Sequence, residues 1–196
     1  MTQYARPDSD VDTGSWVAST GSDFFALIDE SSASDSDYIS SADYETSTDS
    51  ITVGLDNVTD PVNAINHIVS YRSKGTGGGM MGNIPSITVV LLETSTPIAT
   101  SVNSSLTGSY TDYTFTLSEA EANAIGNYDN LRLKFTRGIE SGGGEDVFVS
   151  QAFFKCDTLV TTTTTPSPTD SNFYESAIAS VSNPVNSPID FKRRKK

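Results

Sequence analysis

Residues 86–93, Ser-Ile-Thr-Val-Val-Leu-Leu-Glu, are the most apolar strand-like stretch of the chain and decide its fold class. Ile87, Val89 and Leu91 recur at every second position, and this period of two is typical of a β-strand. Residues 96–102 follow across a tight turn, which predicts a hairpin. We expect the strand over 86–93 to lie inside an antiparallel sheet, because it is the most apolar of the predicted strands.

The same alternation recurs along the chain and predicts an all-β protein. His67, Val69 and Tyr71 share one face of a predicted strand over 67–74. The other segments with strand patterns are 15–19, 24–28, 38–39, 51–55, 113–117, 131–136 and 146–155. Roughly eight strands, with glycine loops at 75–79 and 142–144, are typical of a two-sheet antiparallel β-sandwich of the jelly-roll type.

One short helix and a set of core residues complete the predicted sandwich. Ser118-Glu-Ala-Glu121 matches the capping box, in which the serine hydroxyl and the glutamate carboxylate accept from backbone amides of the first turn. A helix is predicted from there to near Ile125, ended by Gly126. The phase of the strands predicts burial between the sheets of Val69, Tyr71, Val89, Leu91, Phe115, Leu133 and Phe135.

Charge is spread unevenly along the chain. The formal net charge is −13, but residues 161–196 hold five basic and three acidic side chains, so residues 1–160 carry −15. An acidic surface repels nucleic acid and anionic lipid, so we expect neither nucleic acid nor a membrane as partner. The first residues lack the apolar stretch of a signal peptide. Cys156 is the single cysteine, which excludes an internal disulfide and indicates a reducing cytoplasm as the place of assembly.

A change of composition near residue 160 predicts two parts, a β-sandwich body over 1–160 and an extended arm over 161–196. The arm starts with five threonines and Pro166-Ser-Pro168, and it has too few apolar residues to build its own core. We therefore expect the arm to run over neighbouring subunits. Its predicted partner-binding residues are apolar anchors followed by a basic terminus: Phe173, Tyr174, Ile178, Val181, Phe191, Lys192, Arg193, Arg194, Lys195 and Lys196.

The candidate catalytic residues favour a protein that is not an enzyme. His67 is the only histidine, and no Gly-x-Ser-x-Gly nucleophile motif accompanies it. Its position in phase with Val69 and Tyr71 predicts a structural role. Cys156 ends an apolar strand, which favours a buried thiol over a nucleophile. One cysteine and one histidine leave a zinc site short of its usual ligands, so we expect no catalytic residue and no cofactor.

Asp8, Asp10 and Asp12 form a candidate calcium site, because oxygen ligands at alternate positions occur in calcium-binding loops. The pattern departs from the EF-hand loop, since Thr13 stands where that loop has glycine and Ser19 where it has a bidentate glutamate. The alternative is an aspartate-rich turn that leads into the first strand.

The composition is compatible with two functions that involve sugars. Aromatic side chains can form a platform that stacks a sugar, although packing of the core and of subunit contacts is favoured for Tyr4, Trp16, Tyr38, Tyr44, Tyr110 and Tyr113. Seventeen aspartates also make it inevitable that some carboxylates pair, as glycoside hydrolysis requires. Most acidic residues lie in Ser/Thr-rich loops and are expected to be solvated, among them Asp35, Asp37, Asp43, Glu45 and Asp49.

Several short segments resemble small jelly-roll proteins from the structural gene modules of tailed bacteriophages. The first is Arg6–Val11 followed by Gly14-Ser-Trp16. The others are Ile28-Asp-Glu30, Asp37-Tyr-Ile39, the His-x-Val-x-Tyr-Arg strand at 67–72, Leu117-Ser-x-x-Glu-Ala122 and Tyr128-Asp-Asn-Leu-Arg-Leu133. The resemblance covers residues 4–156 and implies a concanavalin-like or jelly-roll sandwich.

The resemblance implies a non-enzymatic virion structural protein of a tailed phage. The expected role is that of a capsid cement or decoration protein that stabilises the particle through its arm. The expected partners are viral structural proteins, namely the major capsid protein and copies of the chain itself, and assembly takes place in the host cytoplasm. A tail or head-fibre module that binds host-surface carbohydrate is the alternative, and a glycan-active hydrolase is the second alternative.

Overall fold

The structure, a computed structural model, describes residues 1–41, 49–76, 85–138 and 146–159. Within these residues the chain forms eleven β-strands, one α-helix and two 3₁₀ helices. The strands are β1 (Thr2–Ala5), β2 (Pro7–Asp12), β3 (Val17–Ala18), β4 (Ile39–Ser40), β5 (Ser50–Leu55), β6 (Ile68–Gly75), β7 (Ile87–Glu93), β8 (Thr96–Asn103), β9 (Thr111–Thr116), β10 (Leu131–Arg137) and β11 (Val147–Asp157). Helix α1 is Glu119–Ala122, and the 3₁₀ helices are Phe25–Leu27 and Tyr128–Asn130.

The strands form two antiparallel sheets that pack face to face around one core. The six-stranded sheet has the order β3-β4-β11-β6-β9, and β1 also pairs with β11. The five-stranded sheet has the order β2-β5-β10-β7-β8. Strand β7, predicted over 86–93, lies inside this sheet between β10 and β8. The predicted fold class, an all-β two-sheet sandwich with one short helix, is confirmed.

Alternate side chains of both sheets meet in the core. On β10, Leu133 and Phe135 are fully buried and lie opposite Leu91 and Val89 of β7. Tyr71 of β6 reaches across from the other sheet, and its ring centroid lies 6.4 Å from that of Phe135. The predicted burial is confirmed for Val69, Tyr71, Val89, Leu91, Leu133 and Phe135.

The N-terminal region differs from the prediction. Residues 24–28 do not form a strand; they contain the 3₁₀ helix Phe25–Leu27. The carboxylate of Asp10 accepts hydrogen bonds from the amides of Phe24 and Phe25, and this stabilises the start of that helix. Residues 7–12 are strand β2 at the edge of the five-stranded sheet, not a turn, because their backbone pairs with β5 despite two bulges.

Two predictions in the second half need smaller corrections. The capping box at Ser118 and Glu121 is present, but helix α1 ends at Ala122 and Asn123 is its C-cap. Phe115 is only partly buried, because its strand β9 lies at the edge of the six-stranded sheet and is covered on one side only.

Several predicted features lie outside the described residues. They are Tyr44, Asp43, Glu45, the loop at 142–144, positions 77–79 of the other glycine loop, and the arm with its ten predicted partner-binding residues. The described residues belong to one unit, Met1–Val160, and the extended arm stays a prediction. In the ranges that the structure describes, no helix is long and apolar enough to cross a membrane.

The packing of Phe135 generates the first testable prediction. Its side chain is fully buried between the sheets, so Phe135→Ala leaves a cavity and is expected to lower the free energy of unfolding by about 3–5 kcal/mol. Val102→Ala is the control, since Val102 is 66 % exposed and its truncation is expected to change stability by less than about 0.5 kcal/mol. Urea unfolding of both variants measures the two values. Equal effects of the two substitutions would contradict the two-sheet core.

Candidate functional site

His67 lies in the core, as its strand phase predicted, and it braces two segments of the chain. It is fully buried and lies immediately before β6. Its Nε2 lies 2.7 Å from the hydroxyl of Tyr128, and its Nδ1 lies 3.0 Å from the carbonyl of Ile65. Its ring also packs against Phe154. Burial lowers the pKa of His67 below its ordinary value, so the neutral ring is favoured at neutral pH.

Cys156 is also buried, on β11 opposite Gln3 of β1. Burial raises the pKa of this thiol to about 11, the opposite of what activates a cysteine nucleophile. The thiol is therefore protonated at neutral pH and packs as a small apolar group.

The structure does not bring Asp8, Asp10 and Asp12 together as calcium ligands. All three lie on the edge strand β2, and each carboxylate accepts a hydrogen bond from another group of the chain. Asp10 binds the amides at the start of the 3₁₀ helix, Asp12 accepts from the amide of Gly14, and Asp8 accepts from the hydroxyl of Ser9. Among the described residues no three acidic, histidine or cysteine side chains are grouped to hold a metal ion. The calcium site at Asp8, Asp10 and Asp12 therefore stays a prediction, and the described structure gives these carboxylates partners within the chain.

The six predicted aromatic residues do not form one platform. Trp16 is buried, and Tyr113 stacks inside the sandwich on Tyr71, with ring centroids 5.4 Å apart. Tyr4, Tyr38 and Tyr110 contact side chains of the outer face of the six-stranded sheet. Tyr44 lies outside the described residues. The aromatic side chains are thus divided between the core and this outer face.

A bidentate ion pair organises the middle of that outer face. Arg72 of β6 donates from Nε and Nη2 to the two carboxylate oxygens of Asp35, at 2.7 and 2.9 Å. Its Nη1 donates to Asp112 at 3.1 Å, and Ser150 donates to Asp35 at 3.2 Å. The hydrogen bonds from Arg72 hold the pKa of Asp35 below its usual range. Asp35 is therefore ionised at neutral pH, and its hydrogen bonds with Arg72 attach its loop to the sheet.

Beside this ion pair lies a cluster that we call the aromatic–lysine patch: Tyr38, Lys74, Tyr110 and Phe148. The Nζ of Lys74 lies 4.5 Å from the ring centroid of Tyr110 and 4.9 Å from that of Phe148, within the range of cation–π attraction. Tyr38 packs edge-on against Phe148, with centroids 5.3 Å apart. The hydroxyl of Tyr110 is buried without a hydrogen-bond partner among the described residues, and burial raises its pKa.

A second aromatic cluster lies further along β11. Tyr4 packs edge-on against Phe153, with centroids 5.5 Å apart. The guanidinium carbon of Arg6 lies 5.6 Å from the Tyr4 centroid and 5.4 Å from that of Phe153. Arg6 and Gln151 also donate to the carbonyl of Glu30, both at 2.6 Å. These bonds hold the Glu30 segment against the edge of the outer face.

Among the described acidic side chains, Glu30 most resembles the general acid of a glycoside hydrolase. Burial raises its pKa, and its Oε2 is buried without a hydrogen-bond partner among the described residues. A glycoside hydrolase pairs such an acid with a second, ionised carboxylate across an open cleft. The carboxylates whose charge acts on Glu30 are those of Asp29 and Asp37, which raise its pKa further, whereas Asp35 is bound by Arg72.

The outer face of the five-stranded sheet differs in chemistry. An open groove of about 420 Å³ runs across it, lined by Val11, Asp12, Thr52, Val90, Leu92, Thr94, Ser95, Pro97, Arg132, Lys134 and Thr136. None of the described residues that line this groove is aromatic. Within the described residues, the two faces therefore differ: the groove is lined by aliphatic and polar side chains, whereas the aromatic clusters lie on the six-stranded sheet.

Comparison with known proteins shows little likeness. No protein-family model matches the chain, and no curated protein matches it. A solved structure of a cyclase from Fischerella sp. TAU is similar over 80 % of this chain and 90 % of that chain, with 13 % identity and a TM-score of 0.35. A TM-score this low does not indicate a shared fold.

Sequence reasoning missed Lys74, Arg72, Phe148 and Phe153 as surface-forming residues. Arg72 and Lys74 alternate along β6 with the buried Val69 and Tyr71, but the partners of both cations are distant in sequence. The two phenylalanines are five positions apart, so strict alternation puts them on opposite faces. A register shift between Val149 and Gln151 brings both to the outer face.

The bond between His67 and Tyr128 generates a prediction about pH. Because the folded-state pKa of His67 lies below 6.5, the unfolded chain takes up the proton first as pH falls. The contribution of His67 to stability is therefore complete above about pH 6.5 and declines as the pH falls below it. His67→Gln is expected to cost about 1–3 kcal/mol at neutral pH and to abolish this part of the decline.

Urea unfolding at several pH values between neutral and mildly acidic measures both effects. Tyr128→Phe is the matched control, because it removes the partner hydroxyl but leaves the titrating ring in place. It is expected to lower stability while keeping the pH dependence. An unchanged pH dependence in His67→Gln would show that His67 does not titrate between the folded and unfolded states.

Proposed function

We propose that this chain is a non-enzymatic structural protein of a tailed-phage virion, with the role of a capsid cement or decoration protein. Its partners are the major capsid protein and other copies of the chain, and its place is the virion, assembled in the host cytoplasm. The proposal combines the jelly-roll resemblance of residues 4–156 with the chemistry of one outer face of the sandwich.

The aromatic–lysine patch is the observation that carries the proposal. Tyrosine, phenylalanine and arginine are enriched in the centres of protein interfaces, and large aromatic side chains there supply most of the binding energy. Tyr38, Tyr110 and Phe148 are each only partly buried, and Lys74 lies between two of the rings. A second protein that covers them removes apolar surface from water without disturbing the core.

Charge favours this face as the contact. The body carries −15, so two bodies repel each other at most orientations. Four of its seven basic residues lie on or beside the outer face of the six-stranded sheet: Arg6, Arg72, Lys74 and Lys155. Of these, Arg6, Lys74 and Lys155 make no ion pair within the described residues, so their charges favour an acidic neighbour, whether a capsid subunit or a second copy.

The arm is the second part of the proposal. Its apolar anchors, from Phe173 to Phe191, bind along neighbouring subunits, and Lys192–Lys196 binds acidic side chains there. Ordering an extended segment costs about 1–2 kcal/mol per residue, so backbone hydrogen bonds to the neighbour add to the apolar contacts.

Binding of purified chain to particles that lack it tests both parts. Lys74→Glu with Tyr110→Ala is expected to weaken binding at least about thirtyfold, because hot-spot residues contribute about 2 kcal/mol or more. Lys134→Glu is the matched control, since it makes the same charge change on the outer face of the other sheet. Equal loss in both variants would contradict a specific role for the patch.

Truncation after Val160 tests the arm in the same assay. The shortened chain is expected to be folded and soluble and to lose its place on the particle. In the full chain, the contact of the basic terminus is expected to weaken first as salt rises, because screening acts most on exposed charges. Full occupancy by the truncated chain would show that the arm is not needed, and failure of the full chain to bind would contradict the virion proposal itself.

A further inference from the structure

The geometry points to a saccharide-binding site, for one neutral hexopyranose ring, at the end of the outer face farthest from the aromatic–lysine patch. A pocket of about 240 Å³ lies there, lined by Thr2, Tyr4, Asn66, Ile68, Lys155 and Asp157. We call it the Tyr4 pocket. Nothing in the particle-binding role requires it, so it is a second binding function of the same sheet.

Strand register builds the pocket. Tyr4 of β1 lies opposite Lys155 of β11, and Lys155 lies opposite Ile68 of β6. Since residues directly opposite each other share a face of the sheet, these three side chains form one row on the outer face. Thr2 lies opposite Asp157 in the next row along β11. Five of the six lining residues therefore lie on three paired strands, and Asn66 lies in the bend just before β6.

The ring of Tyr4 supplies the stacking surface. It is 47 % exposed, although it is a large aromatic side chain. Phe153 packs against it edge-on and Arg6 lies over the ring, so its orientation is set by contacts with its neighbours. A fixed and partly exposed aromatic ring suits the C–H face of a pyranose, which is apolar, whereas the hydroxyls of the sugar point outward to polar groups.

Polar side chains around the ring match those hydroxyls. Asn66 donates from Nδ2 to Oδ2 of Asp157 at 2.7 Å, which fixes both side chains. The other carboxylate oxygen of Asp157 has no hydrogen-bond partner among the described residues and is able to accept from a sugar hydroxyl. Lys155 makes no ion pair within the described part of the chain, so its ammonium is able to donate to one. Neighbouring hydroxyls of a pyranose both donate and accept, which suits this pair.

The volume and the charges of the Tyr4 pocket restrict the class of ligand that it can bind. A volume of about 240 Å³ is below the range of about 300–1,000 Å³ that is usual for drug-sized ligands, so it suits one ring. One ammonium and one carboxylate balance each other, which favours a neutral sugar over a phosphate or an acidic one. The pocket is open at the surface, so the rest of a longer glycan extends into solvent.

Saturation-transfer NMR on the full chain tests the site. The probes are the methyl glycosides of glucose, mannose, galactose and N-acetylglucosamine, each at up to about 20 mM, since single-ring sites bind weakly. We expect transfer to the C–H protons of at least one pyranose. Tyr4→Ala is expected to abolish this transfer, Tyr4→Phe to retain it, and Asp157→Asn to weaken binding at least about tenfold.

Tyr110→Ala is the matched control, because it removes an aromatic side chain from the patch on the same face and is expected to leave sugar binding unchanged. Circular dichroism of each variant checks folding, and Tyr4→Phe and Asp157→Asn keep the test valid if Tyr4→Ala fails to fold. Absence of transfer from all four sugars to the wild-type chain would overturn the proposal, and so would transfer that persists in Tyr4→Ala. Either result leaves the particle-binding assay unaffected.

Discussion

The six-stranded sheet depends on the pairing of strand β11, which contacts β6 along one side and both β4 and β1 along the other. Its register decides which side chains face the core and which face solvent. The shift between Val149 and Gln151 adds one residue to the strand and reverses the alternation beyond it. Phe148 and Phe153 therefore share the outer face. Since Phe148 supports Lys74 and Phe153 supports Tyr4, both candidate surfaces follow from this single irregularity.

The parts of the fold that were predictable from sequence are those where the deciding interactions are local. Alternation over 67–74 and 131–136 identified strands β6 and β10 and their buried faces. A period of two in the apolar residues indicates a strand with one face buried, and it can be read from neighbouring residues alone. The capping box at Ser118 was found for the same reason. Strand β2 was missed, since its aspartates suggest a turn and its extended state comes from pairing with β5. The outer-face clusters were missed because Arg72 and Asp35 are 37 residues apart and meet only in the folded chain.

The charged groups on the outer face are of two kinds. Arg72 is engaged by two carboxylates, so its charge is used within the molecule and fastens the Asp35 loop to the sheet. Lys74 and Lys155 have no carboxylate partner among the described residues, and Lys74 is held only by aromatic rings. Paired charges of the first kind contribute to structure, whereas charges of the second kind are available to a ligand. This distinction, rather than the number of charges, separates the charges that hold the face together from those that are left for the proposed partners.

The pairing of β1 with the end of β11 has a mechanical consequence. Met1 accepts hydrogen bonds from the amide and the hydroxyl of Thr158, so the first residue and the last described turn of the chain lie side by side. Tension applied between these two points acts at one end of an antiparallel pair and opens it one hydrogen bond at a time, starting at Thr2 and Asp157. Strands loaded in this direction peel apart at low force, whereas strands pulled along their length share the load over all their bonds. A pull between Met1 and Thr158 therefore loads this pair in the unzipping direction, and β1 is the strand that it peels from β11.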